Sequence, residues 1–147
     1  MTMTVKAKKQ TDSSTQAVKS KPTQPARDKQ NKRKRMGRRG ETAACEFLVR
    51  QGLKIIDRNW RCGYGEADII ALDGHTLVFC EVRTKGSTKQ GSPAESITDK
   101  KRERYDKLIQ VYRSRTAIRH TAVRFDFIGI FVDEDKKAAR LHYLRNA

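Results

Sequence analysis

The sequence predicts an α/β fold: one domain with a mixed central sheet flanked by helices, in the order α-β-β-β-α-β(β). Three observations carry that expectation. Two apolar runs of strand length, 66–72 and 76–84, flank an Asp73-Gly74 step. Two stretches, Met36–Gln51 and Thr98–Arg115, repeat apolar residues at helical spacing. A near-continuous apolar run, Val123–Val132, follows the second helix, as a crossover strand returning to the sheet does. A chain of 147 residues is the size of one ordinary domain.

In chain order, residues 1–35 are a basic leader of Lys, Thr, Gln, Ser and Pro, expected to be disordered because so little apolar surface cannot offset chain entropy. The domain is expected over 36–147. In the first helix Ala43, Ala44, Phe47 and Leu48 form the inner stripe, and Gly52 suits the C′ position. Leu53–Trp60 reads as a first strand, and Arg61–Gly65 as a turn into the central hairpin. Asp73-Gly74 is a hairpin signal of the type I′ kind. Gly86–Pro93 is a polar connector placed where a substrate-contacting flap would also sit. Thr98 caps a helix whose inner stripe is Ile97, Lys101, Tyr105, Leu108, Ile109 and Tyr112. After the Val123–Val132 run, Asp133–Lys137 is a polar turn and Arg140–Leu144 a short edge strand.

Charge narrows the partners. The net charge is +16, of which residues 1–39 supply +11 and the remainder +5. Such a surface favours polyanions, nucleic acid before anionic membrane. No apolar run approaches the roughly 18 residues of a membrane span, and no apolar stretch follows the N-terminal charges as in a secretory signal. Cys45, Cys62 and Cys80 lack metal or disulfide spacing and read as reduced core thiols of a cytoplasmic protein. The histidines show no ligand spacing, and there is no phosphate-binding glycine loop or nucleophile elbow.

The chemistry is concentrated on the central hairpin. Within a strand, residues two apart share a face, so Glu66 and Asp68 should point one way, and Glu81, Arg83 and Lys85 one way. Carboxylates gathered on an apolar sheet repel unless a cation lies between them, and Mg²⁺ is the usual occupant of a sparse carboxylate site beside phosphate. Solvent exposure accounts for Glu66 equally well, and Arg83 also reads as a structural ion-pair partner. Asp68 and Glu81, embedded among Ile, Val and Phe, are less easily explained that way. Glu41 alone reads as a helix-dipole residue. Lys100, Lys101 and Arg104 read as nucleic-acid contacts on the basic second helix.

Gly37-x-x-Gly40-Glu41, Asn59-Trp60-Arg61, Gly65-Glu66-Ala67-Asp68-Ile69-Ile70-Ala71, Val78-Phe79-Cys80-Glu81-Val82-Arg83 and Phe125-Asp126 together resemble the YraN-type family of uncharacterised bacterial proteins. That family is similar to Holliday-junction resolvases and the wider PD-(D/E)xK nuclease superfamily. The resemblance spans about residues 36–145. It implies a restriction-endonuclease-like α-β-β-β-α-β core, with Asp68 and Glu81 as ligands for Mg²⁺ (or Mn²⁺). It also implies Glu41 as a catalytic helix carboxylate that completes or orients the site, Glu66 as a further ligand or supporting group, and Arg83 at the position of the usual catalytic Lys. A guanidinium is not available as a proton acceptor, so Arg83 departs from the pattern; Lys85 is the nearest substitute on that face. The implied activity is metal-dependent hydrolysis of DNA, structure-selective or non-specific, by a cytoplasmic protein. Resolvases act as dimers on symmetric junctions, which implies a homodimer. The alternatives are a catalytically weak or inactive nucleic-acid-binding module of the same fold, and an interaction protein serving a partner such as ribosomal RNA.

Overall fold

The computed structural model describes residues 24–86, 95, 97–133 and 135–147. Its elements are α1 (Gln24–Arg50), β1 (Lys54–Cys62), β2 (Gly65–Asp73), β3 (Thr76–Lys85), α2 (Asp99–Arg115), β4 (Ala122–Asp133) and β5 (Ala138–Leu144). This is the predicted α/β order. One five-stranded mixed sheet runs β1-β2-β3-β4-β5, antiparallel throughout except for the parallel β3–β4 pair that α2 connects. It has the layout of a restriction-endonuclease-like core.

The helices cover opposite faces. From α1, Ala44, Cys45 and Leu48 pack on Ile69, Ala71, Val78, Cys80, Ile128 and Ile130. From α2, Tyr105, Leu108 and Tyr112 pack on Ala67, Ile70, Leu77 and Phe79. Cys45 and Cys80 are buried and Cys62 is half-buried, all three as free thiols. Gly52, at φ 90°, closes α1 with a Schellman pair: its N–H donates to Val49 O and the Leu53 N–H to Leu48 O. Thr98 caps α2, its hydroxyl accepting from the Lys101 N–H at 3.2 Å.

Two expectations require correction. Helix α1 begins at Gln24, not near Met36, so residues 24–35 are helical although 26–35 are exposed. A helix nucleated by its packed half gains one hydrogen bond per added residue without a second nucleation cost, and Lys, Arg and Gln are good helix formers. The remainder of the expected leader, 1–23, and the connector from residue 87 to 93 lie outside the described residues. The β2–β3 loop is Gly74-His75, between the paired Asp73 and Thr76, and only Gly74 has positive φ, 59°. That is the II′ pattern, with glycine first, rather than I′.

The feature that positions the site is a fork in the sheet. β2 pairs with β3 only from Asp73↔Thr76 to Ile69↔Cys80. Beyond that, β2 stays with β1 down to Gly65↔Cys62, while β3 stays with β4 up to Lys85↔Phe131. The strands part at Asp68.

Candidate active site at the fork between β2 and β3

Asp68 sits where the ladder ends, and its side chain takes over from the backbone. Its Oδ2 accepts the Val82 N–H at 2.8 Å, satisfying a donor that the departing β2 leaves unpaired. Strand alternation fails here. Ala67 packs in the α2-side cluster with Ile70, while Ile69 packs on the α1 side. Across on β1, Arg58 reaches Thr42 of α1 whereas Trp60 packs toward α2, with Asn59 between them at φ 53°. The strict alternation on which the expected shared face of Glu66 and Asp68 rests is thus interrupted on both strands. Glu66 instead pairs with Arg61 at 3.2 Å near the strand end.

Glu81 is buried at 8 % exposure on the α2 face of β3. The Tyr105 hydroxyl donates to its Oε2 at 2.6 Å, and Lys101 Nζ lies 2.9 Å from its Oε1. Lys101, expected both in the inner stripe of α2 and as a nucleic-acid contact, therefore points inward and neutralises the buried carboxylate. Tyr105, expected only as a core residue, orients it. Their spacing on α2, one turn apart, is visible in the sequence, but nothing there names Glu81 as their target. Burial and the neighbouring Glu81 push the Tyr105 hydroxyl well up, so it remains a donor.

The carboxylates do converge electrostatically. Burial first and Glu81 second, with Glu41 and Glu66 adding to the same field, push the Asp68 carboxyl up to about 7 against the opposing Val82 hydrogen bond. Glu41 comes near because α1 closes on β3 at Gly40, where any Cβ would overlap the Thr84 hydroxyl. That contact supplies the physical reason for a bare glycine beside Glu41. Arg83 is exposed and forms no ion pair among the described residues. Lys85 is half-buried at the end of β3.

Asp126, of the Phe125-Asp126 motif, belongs elsewhere. It is fully buried on the α1 side, accepting from Arg124 Nε at 2.8 Å, the Tyr143 hydroxyl and the Asn146 N–H. Arg124 also holds Asp73 at 3.0 Å. This network ties β4 to β5 and to the hairpin turn, away from the fork.

The residues that could hold a divalent cation are Asp68 and Glu81. Two hard oxygen donors whose mutual repulsion raises the Asp68 carboxyl suit such an ion, which would relieve that repulsion. Among the described residues no three His, Cys, Asp or Glu side chains form a ready-made cage.

Comparison with known proteins agrees on family. The model of the uncharacterised protein family UPF0102 matches residues 40–130, the YraN-type family to which the motifs pointed. A UPF0102 protein of Moorella thermoacetica is 36 % identical over 115 residues, covering 78 % of this chain and 96 % of its own. One from Caldicellulosiruptor saccharolyticus is 37 % identical over 117 residues, 80 % of this chain and 98 % of that protein. One from Chlorobium limicola is 44 % identical over 98 residues, 67 % and 76 % of the two chains. Among the described residues no helix is long and apolar enough to cross a membrane.

Proposed function

The chain belongs to the UPF0102 family, and we propose that it is a metal-dependent endonuclease-like protein that binds DNA and hydrolyses its backbone, selecting by structure or without selection. The observation that supports this is the fork itself: Asp68 stands at the gap where β2 leaves β3, and burial and Glu81 push its carboxyl up to about 7. A carboxyl raised by burial and a neighbouring carboxylate in such a gap is a mark of functional sites.

Asp68 and Glu81 hold Mg²⁺ or Mn²⁺. When bound, the ion supplies Lewis-acid polarisation of the phosphate and acidification of a water. The chain's own groups do the remaining work. Val82 N–H fixes Asp68 Oδ2, and the Tyr105 hydroxyl fixes Glu81 Oε2. Lys101 places an ammonium 2.9 Å from Glu81, where it orients that carboxylate and neutralises charge on an incoming phosphodiester. Arg83, exposed on the same strand, adds positive charge at the rim, with Lys85 next along. Glu41 and Glu66 support the field around Asp68. Lys100 and Arg104 contact the DNA backbone. A homodimer suits a two-strand substrate.

The second reading, a nucleic-acid-binding module with little or no catalysis, is favoured by one observation: both Glu81 oxygens are already engaged, by Tyr105 and Lys101. A cleavage assay of the full chain separates the two. Plasmid, linear duplex and four-way-junction DNA are incubated with Mg²⁺, Mn²⁺ or EDTA, beside Asp68→Ala and Glu81→Ala. Metal-dependent cutting that both variants lose supports the enzyme; tight binding with no cutting in any metal supports the module. Because α1 runs unbroken from Gln24, a chain shortened to begin at residue 36 would lose nearly half of that helix, so the assay uses the full chain.

A further inference from the structure

A second site adjoins the fork, on the outer side of α2. The β1–β2 turn and the first turns of α2 enclose a cleft of about 420 Å³ bordered by Tyr64, Lys100, Lys101, Arg104 and Lys107, with Glu103 its single carboxylate. Three features distinguish it. Tyr64 is 52 % exposed, one of two large apolar side chains so exposed among those residues. Lys107 Nζ lies 5.7 Å from its ring centroid, a cation over an aromatic ring at the protein surface.

Arg104 is the third feature. Its guanidinium lies against Gly65, where a Cβ would stand 3.2 Å from Arg104 Cδ and 3.6 Å from Nη1, and its Cζ is 5.6 Å from the Tyr105 ring centroid. Its Nε is buried without an acceptor, and no carboxylate pairs with it among the described residues. The Arg104 side chain also borders the cleft, where its planar guanidinium matches a phosphate.

We propose that this cleft binds an unpaired nucleotide, its phosphate on Arg104 with Lys100 and Lys107, and its base stacked on the free face of Tyr64. Exposed aromatic rings beside cations are how proteins hold unstacked bases without reading sequence. A base inside a duplex cannot present its face to Tyr64. Lys101 lines the cleft and touches Glu81, so a strand seated there delivers its backbone to the fork. The inference rests on the proposed nucleic-acid function and narrows its substrate to DNA with an unpaired segment: a flap, branch or single strand.

Binding measured in EDTA tests this apart from catalysis. Fluorescence anisotropy of the full chain is recorded with a labelled dT12 single strand and with a blunt 12-base-pair duplex, across a salt series. Tyr64→Ala should weaken the single-strand complex about tenfold and the duplex less than about twofold, whereas Tyr64→Trp should restore it. Arg104→Gln should also weaken single-strand binding and lower the salt slope by about 0.7, the share of one phosphate contact. Equal loss on both DNAs, no loss in Tyr64→Ala, or no binding of the single strand by wild type would overturn the cleft. If the chain binds as described but never cleaves, the cleft stands and the nuclease does not. If it cleaves and Tyr64→Ala changes nothing, the reverse holds.

Discussion

Asp68→Asn makes the energetic cost of the fork measurable. Asn is nearly isosteric, keeps an oxygen for the Val82 N–H and carries no charge at any pH. In the folded chain burial and Glu81 push the Asp68 carboxyl up to about 7, against 3.8 for an unperturbed one. Between those values the folded state binds the extra proton, so wild-type stability falls as pH rises. Below about pH 4 both states are protonated and the penalty is absent; above pH 7 it is complete. A difference of about three units at 1.36 kcal/mol each gives roughly 4 kcal/mol, growing from about 1.5 kcal/mol at pH 5 to its full value at pH 8. Asp68→Asn should therefore be more stable than wild type by about 4 kcal/mol at pH 8 and within about 1 kcal/mol of it at pH 4. Urea unfolding followed by far-UV circular dichroism, in EDTA and at pH steps from 4 to 8, reads the difference directly. A difference that stays flat across that range, or a variant less stable than wild type at pH 8, would refute the assignment of Asp68 as a buried, repelled carboxyl. With Mg²⁺ added at pH 8, wild type should recover part of the gap and the variant should not move, because only the charged site binds the ion.

Three further outcomes rest on individual contacts. Gly40→Ala should destabilise by about 1–3 kcal/mol through overlap with Thr84, and Thr84→Ala in the same chain should relieve much of that; Gly37→Ala, in open space on the same helix, should stabilise by about 0.5–1 kcal/mol, and thermal melts of the three variants give the contrast. Tyr105→Phe leaves Glu81 Oε2 without its donor and should cost about 1–3 kcal/mol in a urea titration; an unchanged midpoint would mean that the hydroxyl does not hold the carboxylate. Arg124→Met strands the fully buried Asp126 and should cost about 3–5 kcal/mol, with Asp126→Asn in the same chain recovering a large part; additive losses would count against a paired charge there.

Much of the frame was legible because its signals are local. Thr98 caps α2 and Gly52 ends α1 through hydrogen bonds to residues within one turn, so sequence spacing is enough to place them. Strands β2, β3 and β4 stood out as apolar runs with buried centres. The start of α1 was not legible, since residues 26–35 bury nothing and a search for an apolar stripe passes over them. Nor was the II′ turn at Gly74-His75, because Asp73-Gly74 and Gly74-His75 are both acceptable hairpin centres and only register with β3 chooses between them.

Of the residues singled out in the sequence, Glu81 and Glu41 lie near enough to Asp68 to raise its carboxyl. The pairing of Lys101 with Glu81 and the hydrogen bond from Tyr105 were not legible there, since both depend on which strand lies beneath α2. The roles of Arg124 and Asp126 were equally hidden: in sequence they interrupt a hydrophobic strand, while in the fold they lock it to Asp73 and Tyr143.

The sequence by itself determined the α/β class, the element order, the basic surface and the carboxylates worth watching, because periodicity, caps and composition act within a few residues along the chain. Only the tertiary structure decided that β2 and β3 part at Asp68, that Lys101 serves Glu81 and that Arg104 packs against Gly65, its buried Nε without an acceptor among the described residues. Those facts arise from which face of each element meets which neighbour, a matter of long-range packing that no local pattern encodes.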